Sequence, residues 1–325
     1  MNELIPAFDF HRVVVAPWTS ELNSYGWCTL MGFLAALACG LIGNYLILRR
    51  MALVGDAISH SVLPGLAIAF LLAKSRSSLA MFLGALGAGM VTTILIELIH
   101  KKSRVKQDAA IGITFSSLFA IGVILISLYA SKVDLDQECV LYGEIGNVWI
   151  DTPVTIGGLT LGPATVVRMA AVALITGLLI VLFYKELLVS SFDAALAFSL
   201  GINATVVHYS LMCMLSVVVV SAFESVGAIL VVAMLILPGA TASLVSQRFP
   251  VVLGLTVLHA ALSSVLGLHL AMWLNCSIAG AMVVMGAVLF ALAWIFSPTQ
   301  GLLRRWMSRD LEKPEIPATG AARAG

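Results

Sequence analysis

MALVGDAISHSVLPGLAIAFLLA, residues 51–73, decides how this chain is read. It places one carboxylate, Asp56, and one imidazole, His60, in otherwise apolar company, with Pro64 following the histidine by one helical turn. At about 1.5 Å per residue the run makes a helix of about 34 Å, enough to cross the hydrocarbon core of a bilayer. The i, i+4 spacing puts both polar groups on one face of that helix. An aspartate near the centre of a span costs roughly 2.5–3.5 kcal/mol, and such residues face a bundle interior or a watery path. The pair is therefore a candidate functional site from the outset.

The rest of the chain has the same character. Its 325 residues are 60% hydrophobic and 11% charged, with a mean hydropathy of +1.04, against about 25% charged residues in a soluble domain. The expected fold class is an all-α, polytopic membrane protein. Apolar runs predict spans at 27–48, 51–73, 79–100, 108–130, 165–184, 203–222, 226–246, 251–273 and 277–297, about nine in all within a range of eight to ten. The first run follows a mixed segment without a basic n-region and exceeds a signal-peptide core, so it reads as a retained helix.

Charge sets the expected orientation. With the amino terminus outside, Arg49, Arg50, Lys101, Lys102, Arg104, Lys106, Lys185, Arg248, Arg304, Arg305, Arg309, Lys313 and Arg323 are cytoplasmic, which is 13 of the 18 basic residues. Residues 1–26 then form an extracytoplasmic segment, 27–297 the transmembrane domain, and 298–325 a cytoplasmic tail. The tail's end, Glu312 to Gly325, is rich in Pro, Ala and Gly and is expected to be disordered. A net charge of +1 offers no field for nucleic acid. The five cysteines form no C-x-x-C pair, so neither a disulfide framework nor a structural zinc site is expected.

Two connections are long. The outer loop 131–163 carries Asp134, Asp136, Glu138, Glu144 and Asp151, an acidity suited to the exterior and to attracting cations. Within it Leu141, Tyr142, Ile145, Val148 and Trp149 suggest a surface-lying or re-entrant piece. The inner stretch Phe183 to Asn203 is amphipathic, contains Asp193 and stops at Gly201, as a short helix across the cytoplasmic face would. On shape alone it is equally an anchor.

Three segments together carry a resemblance: DAISHSVLPGLAIAF at 56–70, KELLVSSFDAALAFSLGI at 185–202 and VGAILVVAMLILPGATASLV at 226–245. In order and spacing they resemble the membrane permease subunits of bacterial ABC importers for zinc, manganese or iron. The stretch AFESVGAILVVAMLI is most similar to the manganese and iron branch. The resemblance spans about 27–297 and implies a multi-pass subunit of the bacterial inner membrane. It implies further partners: cytoplasmic ATP-binding subunits, an extracytoplasmic metal-binding lipoprotein and a second permease, a copy or a relative. No cofactor is implied as permanently bound; Mn2+, Zn2+ or Fe2+ is the cargo. The helix at 185–202, with Glu186, Asp193 and Gly201, is implied to couple to the ATPase. No G-x-x-x-x-G-K-[ST] loop occurs, so the chain is not itself an ATPase.

A first-row divalent metal takes imidazole and carboxylate ligands, and one helix already fixes Asp56 and His60 a turn apart. The resemblance places both on the metal path. Pro64 has no N–H for the His60 carbonyl, so a kink and a free backbone oxygen are expected there, and Pro238 does the same for Met234. The other reading of the pair is a helix cap at Asp56 with His60 bonded to a backbone carbonyl. Glu224 is read either as a gate ligand or entry site for the cation or as an interfacial acid that snorkels or pairs with a neighbouring base. His208, His259 and His269 are expected to be satisfied bundle histidines, and Glu97, His100 and Asp108 solvated charges. Gly84, Gly87 and Gly89 are expected to allow close helix packing. Two alternatives complete the reading: an ion-coupled secondary transporter of a divalent cation, and an intramembrane hydrolase, against which the lack of H-E-x-x-H and G-x-S-x-G counts.

Overall fold

The computed structural model describes residues 6–73, 78–129, 145–156, 158–297 and 301. Lys74, Arg76 and Lys132, the loop residues from Ser131 to Glu144 with four of its acids, Leu141, Tyr142 and Cys139, and the tail beyond Gly301 lie outside the described residues. Eight described helices are long and apolar enough to cross a membrane. They belong to α1 (Leu22–Leu48), α2 (Val54–Ala73), α3 (Ser78–Lys102), α4 (Gln107–Tyr129), α5 (Ala164–Leu182), α8 (Ala204–Val245), α9 (Phe249–Leu274) and α10 (Ile278–Phe296). Between α5 and α8 lie two short helices, α6 (Tyr184–Phe192) and α7 (Ala194–Ser199). The protein is an all-α, polytopic membrane protein.

The segment expected as a ninth span appears as the shorter apolar helix Leu230–Val245. It is the second limb of α8, which breaks at Gly227, where φ 75 and ψ 167 are open to glycine only. The break is a reversal. His208 on the first limb lies 3.0 Å from Arg49, while a side chain added at Gly239 on the second would meet Asn44. A straight helix would hold residues 208 and 239 roughly 46 Å apart, whereas Asn44 and Arg49 are about 8 Å apart along α1. The two limbs therefore run in opposite directions, and the apolar pattern at 203–222 and 226–246 is met by two separate limbs.

The core is built where α8 packs on α1, with α9 and α10 behind them, and α2, α3 and α4 form a second group joined to the first through α8. Small residues permit the approach. Gly43 of α1 lies against the backbone carbonyl of Leu235, and Gly65 of α2 faces Gly84 of α3 so closely that a methyl on either would strike the other's carbonyl. Gly89 packs likewise against Ile58 and Ser216, but Gly87 points into open space and plays no packing part. Tyr45, Met31, Ile42, Leu215 and Met234 are among the fully buried side chains.

At one end of the bundle the amino-terminal segment lies on α9. His269 donates through Nδ1 to the Val13 carbonyl (2.8 Å) and accepts from Trp18 Nε1 (3.3 Å), and Trp273 donates to the Pro6 carbonyl (3.0 Å). The described part of the loop 131–163 is a 3-10 turn, Ile145–Ile150, and an antiparallel hairpin of β1 (Pro153–Ile156) and β2 (Leu159–Pro163). Ile145 and Val148 are buried while Trp149 is exposed. Asp151 accepts from the backbone N–H of Thr165 (3.0 Å) and of Thr152 (2.8 Å), so its carboxylate ties the loop to the start of α5. At the other end Ser297 bonds to the Leu244 carbonyl. The described chain thus begins and finishes at opposite ends of the bundle.

Candidate functional site

α1 does not run straight into α2. Met51 N–H bonds to the Leu46 carbonyl (2.8 Å) and Arg50 N–H to that of Ile47 (3.0 Å), with Arg50 at φ 58. This is a Schellman ending with an arginine in the left-handed position usually given to glycine. The turn consumes Met51 to Leu53, so α2 begins at Val54 rather than at the start of the apolar run. His60 is six residues into the helix, about 9 Å along its axis, and Asp56 lies in its first turn. An unbroken helix from Arg50 would put His60 about 15 Å beyond it, so the pair sits closer to the Arg49 end than the apolar run alone implies.

His60 Nε2 faces Asp56 Oδ1 at 3.4 Å, and the two side chains are 35% and 39% exposed. That exposure is what matters, because neighbouring Val54, Ala57, Ile58 and Ser61 are buried. Asp56 is the third residue of α2, past the N-cap position, and its ion-pair partner is His60. The imidazole rests against Phe115 (centroids 5.7 Å) and Phe119 (6.1 Å) of α4. Pro64 lies inside α2, and Gly122 of α4 gives its ring room, a methyl there coming within 2.8 Å of Pro64 Cδ. Among the described residues no set of three or more His, Cys, Asp and Glu is arranged to hold a metal ion. Among the described residues the candidate is thus the pair alone, with more than a third of each side chain exposed.

Glu224 lies in α8 three residues before the Gly227 break, and its side chain is outside the described residues. Pro238, in the second limb of α8, packs on Gly40.

The stretch from Phe183 to Asn203 is two helices rather than one. Asp193, extended at φ −149 and ψ 109, ends α6 and caps α7, its Oδ1 accepting from Ala195 N–H (2.8 Å) and Leu196 N–H (3.1 Å). Gly201, at φ 78, closes the unit. Glu186 falls in the first turn of α6. Phe192, Leu196, Phe198 and Leu200 stand exposed on this elbow, Phe198 by 82%.

One polar cluster escaped sequence reasoning. Arg49 donates through Nε to Ser191 Oγ, through Nη2 to Ser190 Oγ and through Nη1 to His208 Nδ1, each at 3.0 Å. Burial lowers its pKa from the ordinary value, yet an arginine remains charged. His208 Nε2 lies 3.4 Å from Glu97, which also pairs with Lys101. Glu97, expected to be solvated, is 13% exposed and paired on both sides; only its i, i+4 relation to Lys101 was visible in sequence. His100 and Asp108 are exposed as expected. His208 and His269 are satisfied, whereas His259 donates through Nε2 to the Gly286 carbonyl (3.2 Å) and leaves Nδ1 buried without a partner.

A helical membrane bundle with a half-exposed Asp–His pair on one span and an exposed elbow at one end has the architecture of a transporter's membrane subunit. The profile of the ABC 3 transport family matches residues 23–297. The manganese transport system membrane protein MntD of Bacillus subtilis is 47% identical over 86% of this chain and 94% of its own length. The zinc transport system membrane protein TroD of Treponema pallidum is 45% identical over 85% and 75%. PsaBC from Streptococcus pneumoniae, solved in complex with a Fab, superposes at a TM-score of 0.74 with 33% identity, over 92% of this chain and all of that one. The chain belongs to the ABC 3 transport family and is a permease of the ABC type.

Proposed function

We propose that this protein is the permease subunit of an ATP-driven importer of a divalent transition-metal ion, manganese, zinc or iron, with Asp56 and His60 lining the ion's path. One observation carries the reading. A carboxylate and an imidazole, one turn apart on an apolar span, are kept more than a third exposed and without further protein ligands among the described residues. Left against lipid they would be costly; beside a watery path they form a site that grips a metal weakly enough to release it. Relatives in manganese and zinc transport systems support the choice of cargo.

The half-open face also suits a second permease, a copy or a relative, whose facing groups complete the coordination as the ion passes between the two. The elbow of α6 and α7, with Glu186, Asp193 and Gly201, meets the cytoplasmic ATP-binding subunit, its exposed Phe192, Phe198 and Leu200 filling a groove there. A metal-binding lipoprotein delivers the ion at the opposite face, and the Arg49 end faces the cytoplasm of the bacterium, consistent with its basic residues. Glu224, beside the break in α8, is the candidate gate ligand.

The test is metal uptake by Asp56→Asn and His60→Ala in the assembled transporter, with purification of the intact complex as the control for folding. Both should lose uptake while remaining bound to the ATPase. Normal uptake by both removes the pair from the path.

A further inference from the structure

Arg49 occupies an unusual position between the two parts of the proposed machinery. Its side chain grips α6 at Ser190 and Ser191, three and two residues before the Asp193 break. Its backbone is the C-cap of α1 and enters the hydrogen-bonded turn that starts α2, with Val54 N–H on the Met51 carbonyl (3.1 Å) and Ala57 N–H on that of Leu53 (3.1 Å). Asp56 follows Arg49 by seven residues. A turn bonded this fully has little play, so a displacement of Arg49 reaches the first turn of α2.

The grip is oriented. Both serine hydroxyls donate to the Leu187 carbonyl (3.2 Å and 2.6 Å), which leaves their oxygens as acceptors toward the guanidinium. The third contact, to His208, continues through Glu97 to α3, so one fork joins α1, α6, α8 and α3. Beside it is a cavity of about 330 Å³ lined by Arg49, Val54, Glu97, Ser190, Ala194 and His208 among others. It gives the elbow space to move relative to α2 without first breaking a packed core.

We propose that Arg49 is a positioning residue of the transport cycle, tying the α6–α7 elbow to α2 so that movement of the elbow shifts Asp56 and His60. This rests on the reading of the elbow as the ATPase contact. It makes a distinction that docking alone does not. Loss of the fork leaves the ATP-binding subunit attached and hydrolysing, but disconnects hydrolysis from transport.

The experiment compares Arg49→Gln with the double variant Ser190→Ala/Ser191→Ala in the full transporter, reconstituted in vesicles with Mn2+ as the probe. The ATP-binding subunit should stay bound, hydrolysis should remain within about twofold, and Mn2+ taken up per ATP should fall about tenfold or more. The triple variant should be no worse than Arg49→Gln, because both changes cut one link. Unchanged uptake per ATP overturns the proposal, and so does loss of the ATP-binding subunit from both variants, which would make the fork a docking or folding element. Should Arg49→Gln fail to assemble, the serine pair decides by the same criteria. Asp56→Asn in the same vesicles separates the readings: its uptake lost while the fork variants keep theirs breaks only the link, and its uptake retained breaks the proposed path.

Discussion

Two charged groupings lie within a few helical turns of each other, and they are built on opposite principles. Asp56 and His60 have one another, two aromatic neighbours and an open side. Arg49, His208, Glu97 and Lys101 form a continuous chain in which Arg49 and Glu97 each contact more than one partner. A group that must take and release a cation has to keep coordination capacity unspent, whereas a group that holds helices together gains by spending it. The proposed roles, transport for the first grouping and mechanics for the second, follow from that difference rather than from charge or burial alone.

The largest expected effect falls on the open pair. Loss of an outer-shell partner commonly costs 10–100-fold in metal affinity, so loss of a ligand itself should reduce uptake about a hundredfold or more in Asp56→Asn and His60→Ala. The same variants should leave the unfolding midpoint of the purified protein nearly where it was, since few protein contacts are lost. A large drop in stability with retained uptake would put the pair in the mechanical class instead.

Proton competition gives the next effect. Metal binds the neutral imidazole, so binding is intact above the histidine's pKa and weakens as pH falls through it. With one proton displaced per metal bound, the loss of apparent affinity is at most about tenfold per pH unit. Metal affinity measured from pH 8 to 5 should show this slope in the wild type and lack it in His60→Ala. A flat wild-type profile would exclude His60 as a ligand.

The closed cluster should respond the other way. Glu97→Ala removes a mostly buried acceptor from both Lys101 and His208, and leaving such partners unpaired costs about 1–3 kcal/mol. Thermal or denaturant unfolding of the detergent-solubilised protein should register that loss, in contrast to Asp56→Ala. Equal stability of the two variants would erase the distinction drawn above.

What sequence revealed of these regions follows from the range of the interactions. The spans were legible because each is a local run whose composition suffices, and the pair was legible because a single helix sets its spacing. The start of α2 was not: the apolar run begins at Met51, and only the Schellman bonds from Arg50 and Met51 show that its first three residues belong to a turn. The Arg49 fork was invisible because its partners lie 141, 142 and 159 residues away. Glu97 was misread for the same reason, its inward partner being His208 on another helix. The reversal at Gly227 was half legible, since two apolar runs were counted but nothing local marked the glycine between them as the break.

The smallest expected effect belongs to the elbow, from which the proposed motion starts. Asp193 satisfies two N–H groups at the start of the six-residue α7, and an N-cap of this kind contributes about 1 kcal/mol. α7 is too short to persist without it. Asp193→Ala should therefore weaken binding of the ATP-binding subunit by about fivefold, the equivalent of that loss. Asp193→Asn, whose amide oxygen accepts the same two bonds, should bind within about twofold of the wild type. If Asn were as weak as Ala, the partner would be reading the charge of Asp193. If both matched the wild type, the contact would rest on the exposed Phe192, Phe198 and Leu200, and the shape imposed by the cap would not be what the ATPase recognises.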